Sequence, residues 1–208
     1  VIYSGEYGTK ISWDKRKHVS LHLVTTTFKK EEYILSNIEL LKKTVLKEKA
    51  LEDVSDRESL AKNLWIHVID NGRTLAPEQI EDEHVSLCPN LNAGGSGGFA
   101  RGMLEALDHR EKPTHVLLMD DDVMILPESL VRTYSMLQII KPKYSRHFVS
   151  GAMLYYEKME YIHEDIGYVN RLGEYGPLKR RTNAVKIEEM LQHEEMKKIG
   201  RASCRERV

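Results

Sequence analysis

Four apolar runs in this 208-residue chain each stop at a polar cluster, and segments of helical periodicity fill most of the gaps between them. Val19 to Thr26 alternates and then turns β-branched, ending in the cluster Thr25 to Phe28. Leu64 to Ile69 stops at the turn signal Asp70-Asn71-Gly72. His84 to Cys88 leads into the polar, glycine-rich stretch Asn90 to Arg101, and His115 to Met119 ends in Asp120-Asp121-Asp122. Between them, Ile34, Ile38, Leu41 and Val45 recur at helical spacing, with Thr27 as the expected cap. A second helix is expected over Gly98–Leu107, with Phe99, Met103 and Ala106 on one face. A third opens at Pro127, with Leu130, Tyr134 and Leu137 buried. A fifth strand is expected over Phe148–Tyr155, and a charged helix over Asn183–Lys198 carries Val185, Met190 and Leu191. The alternation predicts an α/β chain: a mostly parallel sheet flanked by helices, with His115–Met119 apolar enough to be central. In such sheets ligands bind at the carboxyl ends of the strands, where all four clusters fall.

Charge and composition exclude several classes. The formal net charge of −1 gives no basic field of the kind nucleic acid requires. No apolar run approaches the roughly 20 residues that span a bilayer. The decapeptide Ile199 to Val208, IGRASCRERV, resembles the in-frame translation of a common short-read sequencing adapter, so residues 199–208 are expected to be a non-native tail. They hold three Arg, one Glu and Cys204. Without them the charge moves from −1 to −3 and Cys88 is the one remaining cysteine. A lone cysteine fits a reducing compartment and a small apolar filler on a strand. Residues 1–17 are turn-rich and aromatic, as the remnant of a preceding β domain or a linker would be, which leaves 18–198 as the expected domain.

Three motifs carry chemistry. Side chains alternate along an extended chain, so Asp120 and Asp122 are expected to face the same way, where a hard divalent cation with a substrate diphosphate would relieve their repulsion. The plainer alternative is a solvated acidic turn that caps the next helix. The segment Gly94-Gly95-Ser96-Gly97-Gly98 lacks the Gly-Lys-Ser/Thr ending of a P-loop. Gly95 to Ala100 does fit G-x-G-x-x-A, the fingerprint of a dinucleotide-binding oxidoreductase, which needs one acid downstream rather than three. A third alternative is a flexible loop before a helix. Arg101, one turn on, is placed to reach a phosphate or sugar, or to sit in solvent. Asp70 is a candidate acceptor for a base or ribose, or a turn-former with Asn71. Thr26, Thr27 and Phe28 are candidates to line a base pocket, with Phe28 alternatively in the core. His163, Glu164 and Asp165 form a polar trio with no metal role assigned.

From about His18 to Tyr168 the chain resembles family 2 glycosyltransferases of the GT-A fold, and more narrowly the bacterial galactofuranosyltransferases. The resemblance rests on TTTF, the strand ending in DNG, NxxxGGSGGFARGM and LLMDDDV. It implies a GT-A, Rossmann-like domain, here C-terminally truncated, and a UDP-sugar donor, with UDP-galactofuranose the specific expectation. It also implies Mg²⁺ or Mn²⁺, a glycan or lipid-linked glycan acceptor, and inverting transfer. By motif position Asp120 and Asp122 would hold the ion. The donor would meet Thr27, Phe28, Asp70, Asn92, Gly95, Ser96, Gly97, Gly98, Arg101, Asp120 and Asp121. After Phe28 the family often carries Asn-Arg-Pro where this chain has Lys29-Lys30-Glu31; Lys30 keeps the charge but not the planar fork. The catalytic base, a metal-completing histidine and much of the acceptor site are expected beyond residue 198, so no catalytic residue is assigned. A donor-binding fragment without turnover is therefore a further alternative. The resemblance also implies a cytoplasmic protein, with peripheral association at the inner face of the plasma membrane as a family-level expectation.

Overall fold

The computed structural model describes residues 11–47, 59–145, 147–164, 167–169, 171–177 and 182–195. The chain divides into two units, Val1–Ser145 and Arg146–Val208. Most of the expected remnant at 1–17 and all of 199–208 lie outside the described residues.

The first unit is built on a four-stranded parallel sheet in the order β3-β2-β1-β4. The strands are β1 (Leu21–Thr27), β2 (Leu64–Asp70), β3 (Val85–Pro89) and β4 (His115–Asp120). The helices are α1 (Glu31–Leu41, continued as a π turn over Lys42–Leu46), α2 (Leu60–Asn63), α3 (Pro77–Ile80), α4 (Gly94–Asp108) and α5 (Pro127–Ile139). The α/β reading of the sequence is the observed architecture. β4, however, lies at the edge of the described sheet rather than at its centre, and Val116 and Leu118 are exposed on it.

The period of two in the strands sorts the layers. Leu21 and Leu23 of β1, with Leu64, Ile66 and Val68 of β2, face the main core, which Ile34, Ile38, Leu41 and Val45 fill from the α1 side and Leu130, Tyr134 and Leu137 from α5. The opposite face is narrower: Val24 and Ile69 pack on Ala106 of α4, with Phe99 and Cys88 beside them. Thr27 lies inside β1, so it does not cap α1; Lys30 holds that position without a side-chain cap bond.

The glycine-rich segment differs most from expectation. It is the first turn of α4, four residues earlier than the spacing predicts, and the buried stripe is Gly98, Gly102 and Ala106 rather than Phe99, Met103 and Ala106. Met103 is exposed. A Cβ at Gly98 would sit 2.0 Å from Thr26 Oγ1, and one at Gly102 2.1 Å from Val24 Cγ1. These two glycines let α4 lie directly on β1.

The second unit is antiparallel: β5 (Met153–Tyr155), β6 (Lys158–Glu164) and β9 (Thr182–Asn183) form one sheet, and β7 (Gly167–Val169) pairs with β8 (Tyr175–Pro177). The expected strand from Phe148 is thus three residues long, and Phe148 is fully exposed. The expected helix begins only at 187: over 187–195 it leaves Leu191 exposed and buries His193 against Thr182, while Val185, also exposed, lies in the turn before it. Its charged pattern hides the histidine as an inward anchor.

Candidate functional site

The carboxyl ends of the four parallel strands gather the polar clusters on one edge, as the strand order requires. Thr27 of β1 is in register with Asp70 of β2, and Thr26 with Asp120 of β4. The order reverses between β1 and β4, so the crevice beside Thr26 and Asp120 is the topological switch point where open α/β sheets take ligands.

A hydrogen-bonded frame built on Asn71 holds this edge. Its backbone N–H donates to Thr27 O (2.9 Å), and its side-chain amide donates to Thr26 Oγ1 (3.1 Å) and Gly94 O (3.4 Å). Its Oδ1 accepts from Asn90 Nδ2 (2.9 Å), and Asn90 N–H donates to Asp70 O (2.9 Å). One buried amide thus ties β1, β2, the β3–α4 loop and the start of α4. Asn37 of α1 does the same for the aspartate loop, donating to Asp121 O (3.1 Å) and Val123 O (2.8 Å). Sequence reasoning took Asn71 only as a turn residue, met Asn90 only as the head of the glycine-rich motif, and passed over Asn37, whose one legible signal was a polar residue inside a helix's apolar period.

The carboxylate of Asp70 belongs to this frame. It is fully buried, and Oδ1 accepts from the N–H groups of Gly72 and Arg73 (2.9 Å each) while Oδ2 accepts from Thr74 (2.7 Å) and Leu75 (2.9 Å). Four amides fill its acceptor sites, so the expected contact of Asp70 with a base or ribose gives way to a turn-forming role. Thr27 is also turned inward: its side chain is buried and its Oγ1 has no hydrogen-bond partner. Phe28, by contrast, is 46% exposed, with the Lys29 ammonium 5.3 Å from its ring centroid. Lys29 and Arg73 both hold left-handed backbone (φ 56° and 54°) in the two loops flanking this edge.

The α4 N-terminus is open. Gly94 N–H donates to Asn92 Oδ1 (3.1 Å), while Gly95 and Ser96 are exposed and a Cβ on Gly95 would meet nothing within 4 Å. The first amides of a 15-residue helix face solvent there, with the positive end of its dipole behind them. Gly97 is tight for another reason, because a Cβ there would lie 2.5 Å from that of Ala93. Arg101 is turned along its own helix, 2.5 Å from Glu105, which also accepts from the Cys88 thiol (3.6 Å).

Asp120 and Asp122 are exposed and Asp121 between them is buried. Only Asp120 is on the strand; the chain turns at Asp121. Lys30 donates to Asp122 Oδ2 at 2.5 Å and lies 3.7 Å from Asp121 Oδ1. That hydrogen bond holds the Asp122 carboxyl below its ordinary range and the ammonium above its own. Among the described residues no group of three or more His, Cys, Asp or Glu is arranged to hold a metal ion. Two carboxylates suit Mg²⁺ or Mn²⁺ when diphosphate oxygens and water fill the remaining positions, the usual habit of Mg²⁺ at nucleotides. The donor set fits such an ion only together with its nucleotide.

A cavity of about 460 Å³ opens at the other end of the sheet, lined among others by Trp65, His109 and Arg110, and holds none of these motifs. The second unit's His163 packs edge-on against Tyr155, a structural contact.

No family model matches the chain. It is 36% identical over 81 residues to the galactofuranosyltransferase GlfT2 of Mycolicibacterium smegmatis, a match covering 39% of this chain and 12% of that protein. It is likewise 36% identical over 79 residues to GlfT2 of Mycobacterium tuberculosis, covering 38% and 12%. The match spans about an eighth of the length of these relatives and relates the chain to glycosyltransferases. No helix among the described residues is long and apolar enough to cross a membrane.

Proposed function

We propose that this chain forms the donor-binding part of a metal-assisted glycosyltransferase whose donor is a UDP-sugar, UDP-galactofuranose in the specific reading, and whose acceptor is a glycan or lipid-linked glycan. The observation that carries it is the convergence at one switch-point edge of an exposed aromatic ring, an open helix N-terminus and two exposed aspartates. Each matches one part of a nucleotide-sugar. Phe28 offers a face to the base. The amides of Gly95, Ser96 and Gly97 suit a diphosphate. Asp120 and Asp122 would hold Mg²⁺ or Mn²⁺, which when bound neutralises charge building on the departing diphosphate. The relatives' activity, galactofuranosyl transfer, supports the sugar. Inversion would follow from a hydroxyl attacking the anomeric carbon opposite the diphosphate; the base for that step lies outside the residues assigned.

The dinucleotide alternative is disfavoured by position. Its glycine fingerprint belongs in the turn after the first strand, whereas here the β1–α1 turn is Phe28-Lys29-Lys30 and the glycines follow β3. Calorimetric titration decides between them. UDP is expected to bind with Mn²⁺ present, and Asp120→Asn to weaken that binding at least tenfold. Tight NAD binding indifferent to Asp120→Asn would overturn the proposal.

A further inference from the structure

Lys30 sits where helix chemistry disfavours it. It is the N-cap residue of α1, a position that prefers Ser, Thr, Asp or Asn, and it makes no side-chain cap bond. It also places a cation at the positive end of the helix. Local rules broken in this way tend to mark function. The side chain crosses instead to the loop after β4, donating to Asp122 and lying near Asp121. That loop does not depend on Lys30 for its shape, since Asn37 already fixes it on both sides of Asp122 through Asp121 O and Val123 O. Nor is the pair sealed: the two side chains are 44% and 48% exposed, so water can replace either partner. What Lys30 adds is charge, at one of the two carboxylates the nucleotide-bound ion would use.

We propose that Lys30 is a tethered counter-ion that occupies Asp122 in the free protein and transfers to the donor's diphosphate on binding, so that divalent ion and nucleotide bind together and the ion alone binds weakly. The inference rests on the donor-site reading above. A divalent ion arriving by itself must displace the ammonium from Asp122 and leave it with only its longer contact to Asp121, beside the new positive charge. Arriving with a diphosphate, it frees an ammonium that finds phosphate oxygens within reach of a long, rotatable stem. No covalent bond changes; the exchange is one ion pair for two.

The test is the affinity of this chain for Mn²⁺, read from water-proton relaxation, with and without UDP. The wild-type chain is expected to bind Mn²⁺ weakly and to tighten on addition of UDP. Lys30→Met is expected to bind Mn²⁺ alone about three- to fivefold more tightly, the scale of an exposed ion pair, and to gain less from UDP. Lys30→Arg, which keeps the charge, is expected to behave as wild type. Unchanged Mn²⁺ affinity in Lys30→Met, with UDP-dependent uptake still lost in Asp122→Asn, would overturn the counter-ion role and leave the donor site standing. If UDP never tightens Mn²⁺, or Asp122→Asn changes nothing, the donor-site reading itself falls and this inference with it.

Discussion

At Asp70 one carboxylate satisfies four backbone amides in a turn that closes the end of β2. Hydrogen bonds to a buried charge are among the stronger ones, and removing their acceptor leaves several donors unpaired. Asp70→Ala is therefore expected to destabilise the chain by about 3 kcal/mol or more. Asp70→Asn, which keeps one acceptor oxygen, should lose less. Urea unfolding checks both, and equal stability of Asp70→Ala and wild type would remove the turn-forming role. The motif at Asp70-Asn71-Gly72 was legible as a strand end, but its two readings, ligand contact and turn, use the same residue type. Only the positions of the Gly72, Arg73, Thr74 and Leu75 amides decide between them.

Helix α4 separates two uses of glycine within one motif. Gly98 and Gly102 are packing glycines, and each methyl added there would overlap β1. Gly98→Ala and Gly102→Ala should each cost about 1–3 kcal/mol, the range for overpacking a filled interface. Gly95→Ala meets open space and should be neutral, or stabilise by up to about 1 kcal/mol through helix propensity. Thermal and urea unfolding of the three variants tests the division; a Gly98→Ala chain as stable as wild type would contradict the close approach. The sequence showed a glycine run but not where the helix begins, because its period of glycines at 98 and 102 carries no hydrophobic signal. By contrast Ile34, Ile38 and Leu41, and Leu130, Tyr134 and Leu137, were legible because large apolar side chains mark their own faces.

Across the whole first unit, a polar chain with both its histidines buried runs through the α4 side of the sheet at the end away from the candidate site. Ser86 donates to Ile66 O (3.4 Å), and its Oγ lies 3.0 Å from His67 Nδ1. His67 Nε2 lies 2.9 Å from His22 Nδ1, and His22 Nε2 lies 3.3 Å from Ser20 Oγ. With both rings neutral, each of these contacts can hold one proton. Burial, then the neighbouring His67 and His109, pushes His22 down to about 4, and burial, then His109, does the same for His67, against a smaller opposing pull from Glu105. Both folded-state values lie below the unfolded 6.5, so the unfolded chain binds more protons between the two. Stability from these rings is complete above pH 6.5 and falls as pH drops toward about 4, by about 1.4 kcal/mol per pH unit for each ring that titrates. The carboxylates Asp82 and Asp122, depressed below 3.8, are lost only at lower pH. Urea midpoints from pH 7.5 to 4.5 check this, and His67→Gln should flatten the slope; a pH-independent midpoint would sink it.

Apolar runs ending in polar clusters determined by themselves that the first unit is a parallel α/β sheet with polar clusters at the strand ends, because hydrophobic period and β-branching are local properties. Tertiary structure alone decided which residues at that edge are exposed. Asp70 and Thr27 turn into the frame, Phe28, Gly95 and Asp120 turn outward, and Lys30 crosses 92 positions to meet Asp122. Those choices depend on backbone amides and charges brought together from distant segments, and no spacing along a single segment encodes them.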